Sequence, residues 1–207
     1  MSAHVIAGDQ VPEEIDLRRR RMLVTATAIT GAVGLAIAAE PFIASWEPSQ
    51  RAKSLGAPVE IDIAKVEPGA MLTVPWRGKP VWVVHRTPQM LSQIDDAKKF
   101  LLDPSSNGSL QPDFAKNESR AERPAFFVAL GVCTHLGCTP QARFMAGDPG
   151  ISKDWPGGFY CPCHGSKYDL AGRVFKDMPA PANLTVPPYQ FIDEYRILIG
   201  SGEGHQT

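Results

Sequence analysis

Two short segments that combine cysteine with histidine constrain this chain more than any other feature. They are residues 133–138, with the sequence CTHLGC, and residues 161–166, with the sequence CPCHGS. Each segment offers one Cys and one His at metal-ligand spacing and carries one further Cys, which accounts for all 4 cysteines of the chain. Two thiolates and two imidazoles on a pair of loops indicate a metal site. The same donor set occurs in [2Fe–2S] centres in which histidine replaces cysteine on one iron.

A structural zinc site is the alternative, because tetrahedral Zn²⁺ also accepts two Cys and two His. Zinc fingers, however, usually place both cysteines in one segment and both histidines in the other. In this chain each segment is mixed, so that each loop can give one Cys to one iron and one His to the second iron. The ligand order therefore favours the iron–sulfur centre, and iron content with a rhombic EPR signal in the reduced protein separates it from zinc.

With the residues that follow the second segment, Lys167-Tyr168-Asp169, the two strings resemble the Rieske iron–sulfur subunit of bacterial ubiquinol–cytochrome c reductase, respiratory complex III. The likeness extends over the N-terminal apolar segment, the linker and the whole soluble part. It implies a mainly β fold, an antiparallel β-sandwich Rieske domain with a small inserted cluster-binding subdomain, on one N-terminal transmembrane helix.

The resemblance also implies which residues hold one Rieske-type [2Fe–2S] cluster. By that likeness Cys133 and Cys161 bind the buried iron, and His135 and His164 bind the outer iron through Nδ1. The two remaining thiols, Cys138 and Cys163, form a disulfide that ties the two loops. A disulfide agrees with a periplasmic location, where bridged thiols persist.

Further residues are implied to surround the cluster. The Ser166 hydroxyl donates to a bridging sulfide and the Tyr168 hydroxyl donates to the Cys133 sulfur, and such hydrogen bonds raise the reduction potential. A proline-rich segment covers the cluster; many family members have Gly shortly before it, where this chain has Asp177-Met178. The other residues assigned to the cluster surroundings and the apolar docking tip are Leu136, Gly137, Pro179 and Pro181.

The implied function is electron transfer within a larger enzyme. The subunit accepts one electron, coupled to a proton, from ubiquinol through the exposed imidazoles, chiefly His164 and also His135. It passes the electron to a membrane-anchored c-type cytochrome, while the second electron goes to a haem of a b-type partner, which contributes to proton translocation. The complex is expected to be a homodimer of the multi-subunit unit. The net charge of −1 gives no electrostatic footprint for nucleic acid.

Residues 22–39 form the one long uncharged segment, 18 residues that reach roughly 27 Å as a helix, close to the thickness of a membrane core. We predict a transmembrane anchor over 22–44. The four arginines at 18–21 hold the N-terminus in the cytoplasm and resemble a twin-arginine export signal; a plain topology signal is the alternative. A cleaved signal peptide with its site at 36–38 is a further alternative.

The remaining organisation follows from composition. We predict a cytoplasmic N-terminus (1–21), a flexible hinge (45–58), a Rieske domain (59–200) with its cluster-binding subdomain at about 130–184, and a tail (201–207). This places the protein in the bacterial inner membrane with one span and a periplasmic head. Alternation predicts an antiparallel meander of strands at 59–63, 71–74 and 81–85, and His85 is interpreted as a packed or surface residue rather than a ligand. A helix over 90–101 with Ser92 as its N-cap and a last strand at 196–200 complete the prediction.

Two other Rieske classes are compatible with part of the pattern. A ring-hydroxylating oxygenase or its ferredoxin carries the ligand pairs but normally lacks the extra cysteines and the anchor. The small subunit of a periplasmic oxidase such as arsenite oxidase can share twin-arginine export and the bridge, but it usually lacks the string Gly165-Ser166-x-Tyr168.

Replacing Arg19 and Arg20 together by Lys tests the export hypothesis. Because a twin-arginine signal depends on the guanidinium pair and a topology signal only on positive charge, we expect the double variant to leave the head on the cytoplasmic side. Protease accessibility in spheroplasts measures the outcome. Arg18→Lys is the matched control and should export normally; normal export of the double variant would reduce the arginines to a topology signal.

Overall fold

The structure is a computed structural model that describes residues 16–49 and 56–200. Most of the predicted cytoplasmic N-terminus (1–15), the middle of the predicted hinge (50–55) and the predicted tail (201–207) lie outside the described residues. The chain divides into two compact units, Met1–Gln50 and Arg51–Thr207.

The first unit contains one long helix, α1, over Leu17–Ala44. Asp16 caps it, because its carboxylate accepts hydrogen bonds from the backbone N–H groups of Arg18 and Arg19. The helix therefore begins at Leu17 and includes the arginines, whereas the predicted anchor begins at residue 22. With 28 residues and a mean hydropathy of 1.9 in its most apolar stretch, it is long and apolar enough to cross a membrane.

Two polar side chains within α1 are satisfied by the helix itself. The Thr27 hydroxyl donates to the Leu23 carbonyl and the Thr30 hydroxyl to the Ala26 carbonyl, both at 2.9 Å. A hydroxyl bonded to the preceding turn does not need water, which makes threonine compatible with a lipid-facing helix. These two threonines are thus no obstacle to a membrane span.

The second unit is built from three antiparallel three-stranded sheets. The first sheet has the order β1-β9-β8, the second β2-β3-β4 and the third β5-β6-β7. The strands are β1 Val59–Asp62, β2 Met71–Trp76, β3 Lys79–His85, β4 Phe126–Leu130, β5 Gln141–Arg143, β6 Gly158–Tyr160, β7 Lys167–Tyr168, β8 Tyr189–Phe191 and β9 Arg196–Ile199. The predicted architecture, mainly antiparallel β with an N-terminal apolar helix, is confirmed.

One strand pairing differs from the predicted meander. β2, β3 and β4 are consecutive neighbours, but β1 pairs with β9, so that Ile61 lies opposite Ile197. Both isoleucines are buried. Their burial favours this long-range pairing, which local alternation cannot indicate.

The predicted helix over 90–101 begins and ends earlier. Helix α2 covers Pro88–Ala97, and a 3-10 turn continues it over Lys98–Phe100. Its N-cap is Thr87, whose hydroxyl accepts from the Met90 backbone N–H; the proposed cap, Ser92, instead donates to the Gln89 carbonyl. Proline is well suited to the first helical position because its missing N–H costs nothing there. A second 3-10 turn covers Asp113–Ala115.

The buried residues of the three sheets form one continuous hydrophobic core. Trp82 of β3 stacks on Phe159 of β6 with ring centroids 4.9 Å apart, which joins the second sheet to the third. His85 bonds the Val66 carbonyl through Nδ1 at 2.7 Å and stacks on Phe126. The interpretation of His85 as a packed residue is confirmed.

Phe159→Ala tests the joint between these sheets. Phe159 is fully buried, and truncating such a side chain removes about 3–5 kcal/mol from the free energy of unfolding. Denaturant unfolding of the detergent-solubilised chain measures this loss. Phe100, which is half exposed, provides the control: Phe100→Ala should cost far less, and equal costs would contradict the packing described.

Candidate metal centre

Both Cys/His segments are loops at the ends of short strands. The first loop connects β4 to β5, and the second connects β6 to β7. Because β5, β6 and β7 form one small sheet, both loops are attached to the same sheet. This sheet lies within the span predicted for the cluster-binding subdomain.

The two loops close through the same hydrogen-bond pattern. In the first, the Cys133 N–H donates to the Cys138 carbonyl and the Gly137 N–H donates to the Cys133 carbonyl. In the second, the Cys161 N–H donates to the Ser166 carbonyl and the Gly165 N–H to the Cys161 carbonyl. Gly137 and Gly165 have φ values of 82° and 78°. Glycine adopts this left-handed conformation without steric cost, so the same turn forms twice.

A disulfide joins Cys138 to Cys163 and so links the loops. This is the pairing that the resemblance implied. The sulfur atoms of Cys138, Cys161 and Cys163 lie within 4.8 Å of one another. Two of these three sulfurs are consumed by the disulfide and cannot act as thiolate ligands. The thiols left for a metal are those of Cys133 and Cys161.

The two free thiols are buried side by side. Burial raises the pKa of the Cys161 thiol, backbone N–H groups of Cys163 and His164 donate to its sulfur and lower the pKa, and a hydrogen bond with the Cys133 thiol raises it. Two adjacent buried thiolates repel each other, and a cation bound between them would offset that repulsion. The donor chemistry therefore fits a metal centre.

The two histidines, one from each Cys/His loop, are in contact with each other. The rings of His135 and His164 are in edge-to-face contact, with centroids 4.6 Å apart. Nδ1 of His135 is buried and has no hydrogen-bond partner. A buried polar nitrogen without a partner is costly, and a metal bound through Nδ1 would remove that cost. This atom fits the implied ligation of an outer iron.

Tyr168 connects the first loop to the sheet. Its hydroxyl oxygen lies 3.2 Å from the Cys133 sulfur and accepts a hydrogen bond from the Thr134 backbone N–H, also at 3.2 Å. Burial is the main reason that the pKa of the Tyr168 hydroxyl is raised. The phenol therefore keeps its proton at neutral pH and can donate it to the sulfur.

Thr134 is a site residue that sequence reasoning missed. Its hydroxyl lies 3.2 Å from the Tyr168 hydroxyl and donates to the Ala182 carbonyl at 2.6 Å. It thus ties the first loop to the chain just after the proline-rich segment. Its place inside the first Cys/His segment was the available signal, but only the fold shows the partner 48 residues away.

Ser166 performs the corresponding task in the second loop. Its side chain is buried, and its oxygen accepts from the Ala180 backbone N–H at 3.1 Å. The hydroxyl proton is left to donate elsewhere, which suits the implied bond to a sulfide. Ala180 is buried, whereas Pro179 and Pro181 on either side of it are exposed.

The proline-rich segment keeps its turn without glycine. Asp177 has a φ of 58°, the left-handed conformation that glycine adopts most readily and that Asp tolerates better than most residues. The replacement of a family glycine by Asp177-Met178 therefore leaves the segment able to fold against Ser166.

The tip of the first loop is apolar and open to solvent. Leu136 is 71% exposed, and Gly137 beside it is also exposed. His164 is exposed as well, whereas His135 is half-buried. A partner protein or a small molecule can therefore reach the imidazoles from the side of Leu136.

Two family models match the chain. Residues 12–49 match the model described as "Ubiquitinol-cytochrome C reductase Fe-S subunit TAT signal", and residues 115–190 match the model of the Rieske [2Fe-2S] domain. The first match covers the arginines and α1, and the second covers both Cys/His loops.

Curated relatives agree along nearly the whole chain. The ubiquinol-cytochrome c reductase iron-sulfur subunit of Allochromatium vinosum is 53% identical over 190 residues, which are 92% of this chain and 92% of that protein. The subunit of the same name from Rhodospirillum rubrum is 45% identical over 88% of this chain and 91% of its own length. That of Blastochloris viridis is 44% identical over 89% and 93%.

Replacing Cys138 and Cys163 together by Ala tests the disulfide. The bond closes a loop with a sequence separation of 25, and its loss should lower the free energy of unfolding by about 3.5 kcal/mol on the chain-entropy model. Denaturant unfolding of the metal-free chain gives the value. Dithiothreitol should destabilise the wild type equally and leave the double variant unchanged; a wild type that is insensitive to the reductant would contradict this role.

Proposed function

The chain belongs to the family of ubiquinol–cytochrome c reductase iron–sulfur subunits, and from this premise we propose that it carries single electrons from ubiquinol to a membrane-anchored c-type cytochrome. Membership makes it a subunit of an enzyme complex, respiratory complex III, with one Rieske-type [2Fe–2S] cluster. It also sets aside the zinc alternative. The electron donor, the electron acceptor and the coupling to proton translocation are the proposal.

We assign the cluster ligands to Cys133, Cys161, His135 and His164. The observation that carries this assignment is the buried Nδ1 of His135, which has no partner and lies in a ring that contacts His164. The buried free thiols of Cys133 and Cys161 also support this assignment. When bound, the cluster supplies a one-electron acceptor whose neutral imidazole ligands lower its negative charge and raise its potential.

The imidazoles provide the proton chemistry. A histidine bound to metal through Nδ1 keeps Nε2 available for a hydrogen bond. In His164, which is exposed, that nitrogen can accept a hydrogen bond from a quinol hydroxyl and then hold its proton. His135 offers a second such nitrogen, and the exposed Leu136 provides apolar contact for the quinol pocket of the b-type partner.

The second loop and β7 tune the site. The Tyr168 hydroxyl lies 3.2 Å from the Cys133 sulfur and would donate to it in the cluster-bound protein, and the Ser166 oxygen accepts from Ala180, which leaves its own proton free. Both hydroxyls stabilise negative charge on sulfur, so both raise the reduction potential. Both side chains are buried, so water does not compete for these hydrogen bonds.

The tether completes the proposal. We place the N-terminus in the cytoplasm and the head in the periplasm, because of the arginines at the start of α1 and of the disulfide. Residues 45–58 would act as the hinge about which the head moves between the b-type and c-type cytochromes. The complex is proposed to be a homodimer of the multi-subunit unit.

Tyr168→Phe tests the tuning. The variant loses one hydrogen bond to sulfur, and a differential energy of about 1 kcal/mol between the two redox states corresponds to a fall of roughly 40 mV in midpoint potential. Redox titration of the membrane-bound protein measures it. Tyr195, which is exposed, gives the control Tyr195→Phe; an unchanged potential in Tyr168→Phe would remove the hydroxyl from the account.

His164→Ala tests the ligand assignment. Loss of an imidazole ligand should abolish the rhombic EPR signal of the reduced cluster. His85→Ala is the control, because His85, at the end of β3, bonds the Val66 carbonyl and is assigned no metal. An intact signal in His164→Ala would refute the ligation of iron by that residue.

A further inference from the structure

Three arginines are buried in the core beneath the cluster loops. Arg86, Arg120 and Arg173 are at most 2% exposed. Charged side chains are rarely buried this completely unless each is paired. Within residues 16–49 and 56–200, the only buried carboxylate in direct contact with them is that of Asp169, at 2.8 Å from Arg173. The half-buried Asp103 acts on Arg120 from a greater distance.

Arg120 is held almost entirely by neutral acceptors. It donates to the carbonyls of Ala171 at 3.2 Å, Gly172 at 3.3 Å and Leu184 at 2.6 Å. Two further bonds go to the side-chain oxygen of Gln111, at 3.0 and 2.8 Å. These acceptors are neutral, and the carboxylates of Asp169 and Asp103 act on the charge of Arg120 only from a distance.

Arg86 is likewise bound by neutral acceptors, whereas Arg173 contacts a carboxylate. Arg86 donates to the Leu170 carbonyl at 3.3 Å and to two other backbone carbonyls, while its Nη2 has no partner. Arg173 forms an ion pair with Asp169 and also donates to the Ile94 carbonyl. Three guanidinium groups and one contacting carboxylate leave a net buried charge of +2 in this group.

The acceptors of these arginines lie on chain segments that support the cluster. The turn 169–173 directly follows Tyr168, whose hydroxyl contacts the Cys133 sulfur. Leu184 follows closely after Ala182, which accepts from Thr134 of the first loop. The arginines therefore lie on the inner side of the segments that carry the sulfur-directed hydrogen bonds.

The charge persists at physiological pH. Burial is the main cause that lowers the pKa of Arg86 and of Arg120 to about 10 in each case, well above neutrality. Buried charges are screened by salt much less than exposed ones. A positive charge in the interior lowers the energy of the cluster state that has gained one electron, since that state is more negative by one unit.

We propose that the buried guanidinium groups of Arg86 and Arg120, which no carboxylate contacts directly in the described residues, raise the reduction potential of the cluster by their positive charge, in addition to holding the segments around Tyr168 and Thr134. The proposal rests on the ligand set given under the proposed function. Arg86 and Arg120 are positioning and electrostatic residues, because neither contacts the assigned ligands. The reaction concerned is the addition of one electron from an external donor to the cluster, with no bond formed or broken.

The direction in which the reduction potential shifts distinguishes an effect of charge from an effect of positioning. Arg120→Gln and Arg86→Gln each remove one positive charge, and we expect the equilibrium constant for one-electron reduction to fall between about threefold and tenfold, tenfold being 59 mV. Asp169→Asn removes one negative charge and should shift the constant in the opposite direction. The exposed Arg77 provides the control Arg77→Gln, which should leave the potential unchanged because solvent screens it.

Redox titration of the complete membrane-bound protein, with EPR detection and thermal unfolding of each variant, decides the outcome. If the arginines acted only by positioning, all three core variants would lower the potential in parallel with stability, and the proposal would be overturned. Should Arg120→Gln fail to assemble, Arg86→Gln and Asp169→Asn decide the question by their opposite signs. A wild type without the Rieske EPR signal would contradict the proposed function itself, whereas a normal signal with unmoved potentials would contradict only this inference.

Discussion

The bond between Cys138 and Cys163 is the constraint on which the rest of the site depends. The bases of the two loops are held by the core, where Cys133 and Cys161 are buried, whereas Leu136 and His164 at their tips are exposed. The bond brings His135 and His164 into ring contact at 4.6 Å. Without it, the turn geometry of each loop and the contacts of Tyr168 with the first loop would remain, but the covalent link between the two loops would be lost.

The core that carries the loops contributes both packing interactions and buried charges. The stack of Trp82 on Phe159 joins two sheets, and hydrogen bonds through Thr134 and Ser166 extend that rigidity to the proline-rich segment. Sulfur-directed hydroxyls and buried positive charge both favour the reduced state of a cluster. In the proposed function, the same set of contacts would hold the assigned ligands in place and bias the redox equilibrium of the cluster.

The parts of the site that depend on local spacing could be predicted from the sequence. Both ligand loops, the apolar helix and the packed character of His85 follow from short-range patterns. The pairing of β1 with β9 could not, because it joins residues at opposite ends of the head. The strands β5, β7 and β8 have only two or three residues each, too few for alternation to be visible. The role of Thr134 was hidden because its partner is distant in sequence.

The central claim is that the imidazoles couple electron uptake to a proton, and the pH dependence of the midpoint potential tests it most directly. A metal-bound imidazole loses its remaining ring proton more readily when the metal centre is oxidised. The midpoint should therefore be level in mildly acidic solution and fall toward roughly 59 mV per pH unit, one proton per electron, once the oxidised form deprotonates. A midpoint that stays level from mildly acidic to strongly alkaline solution would contradict the account.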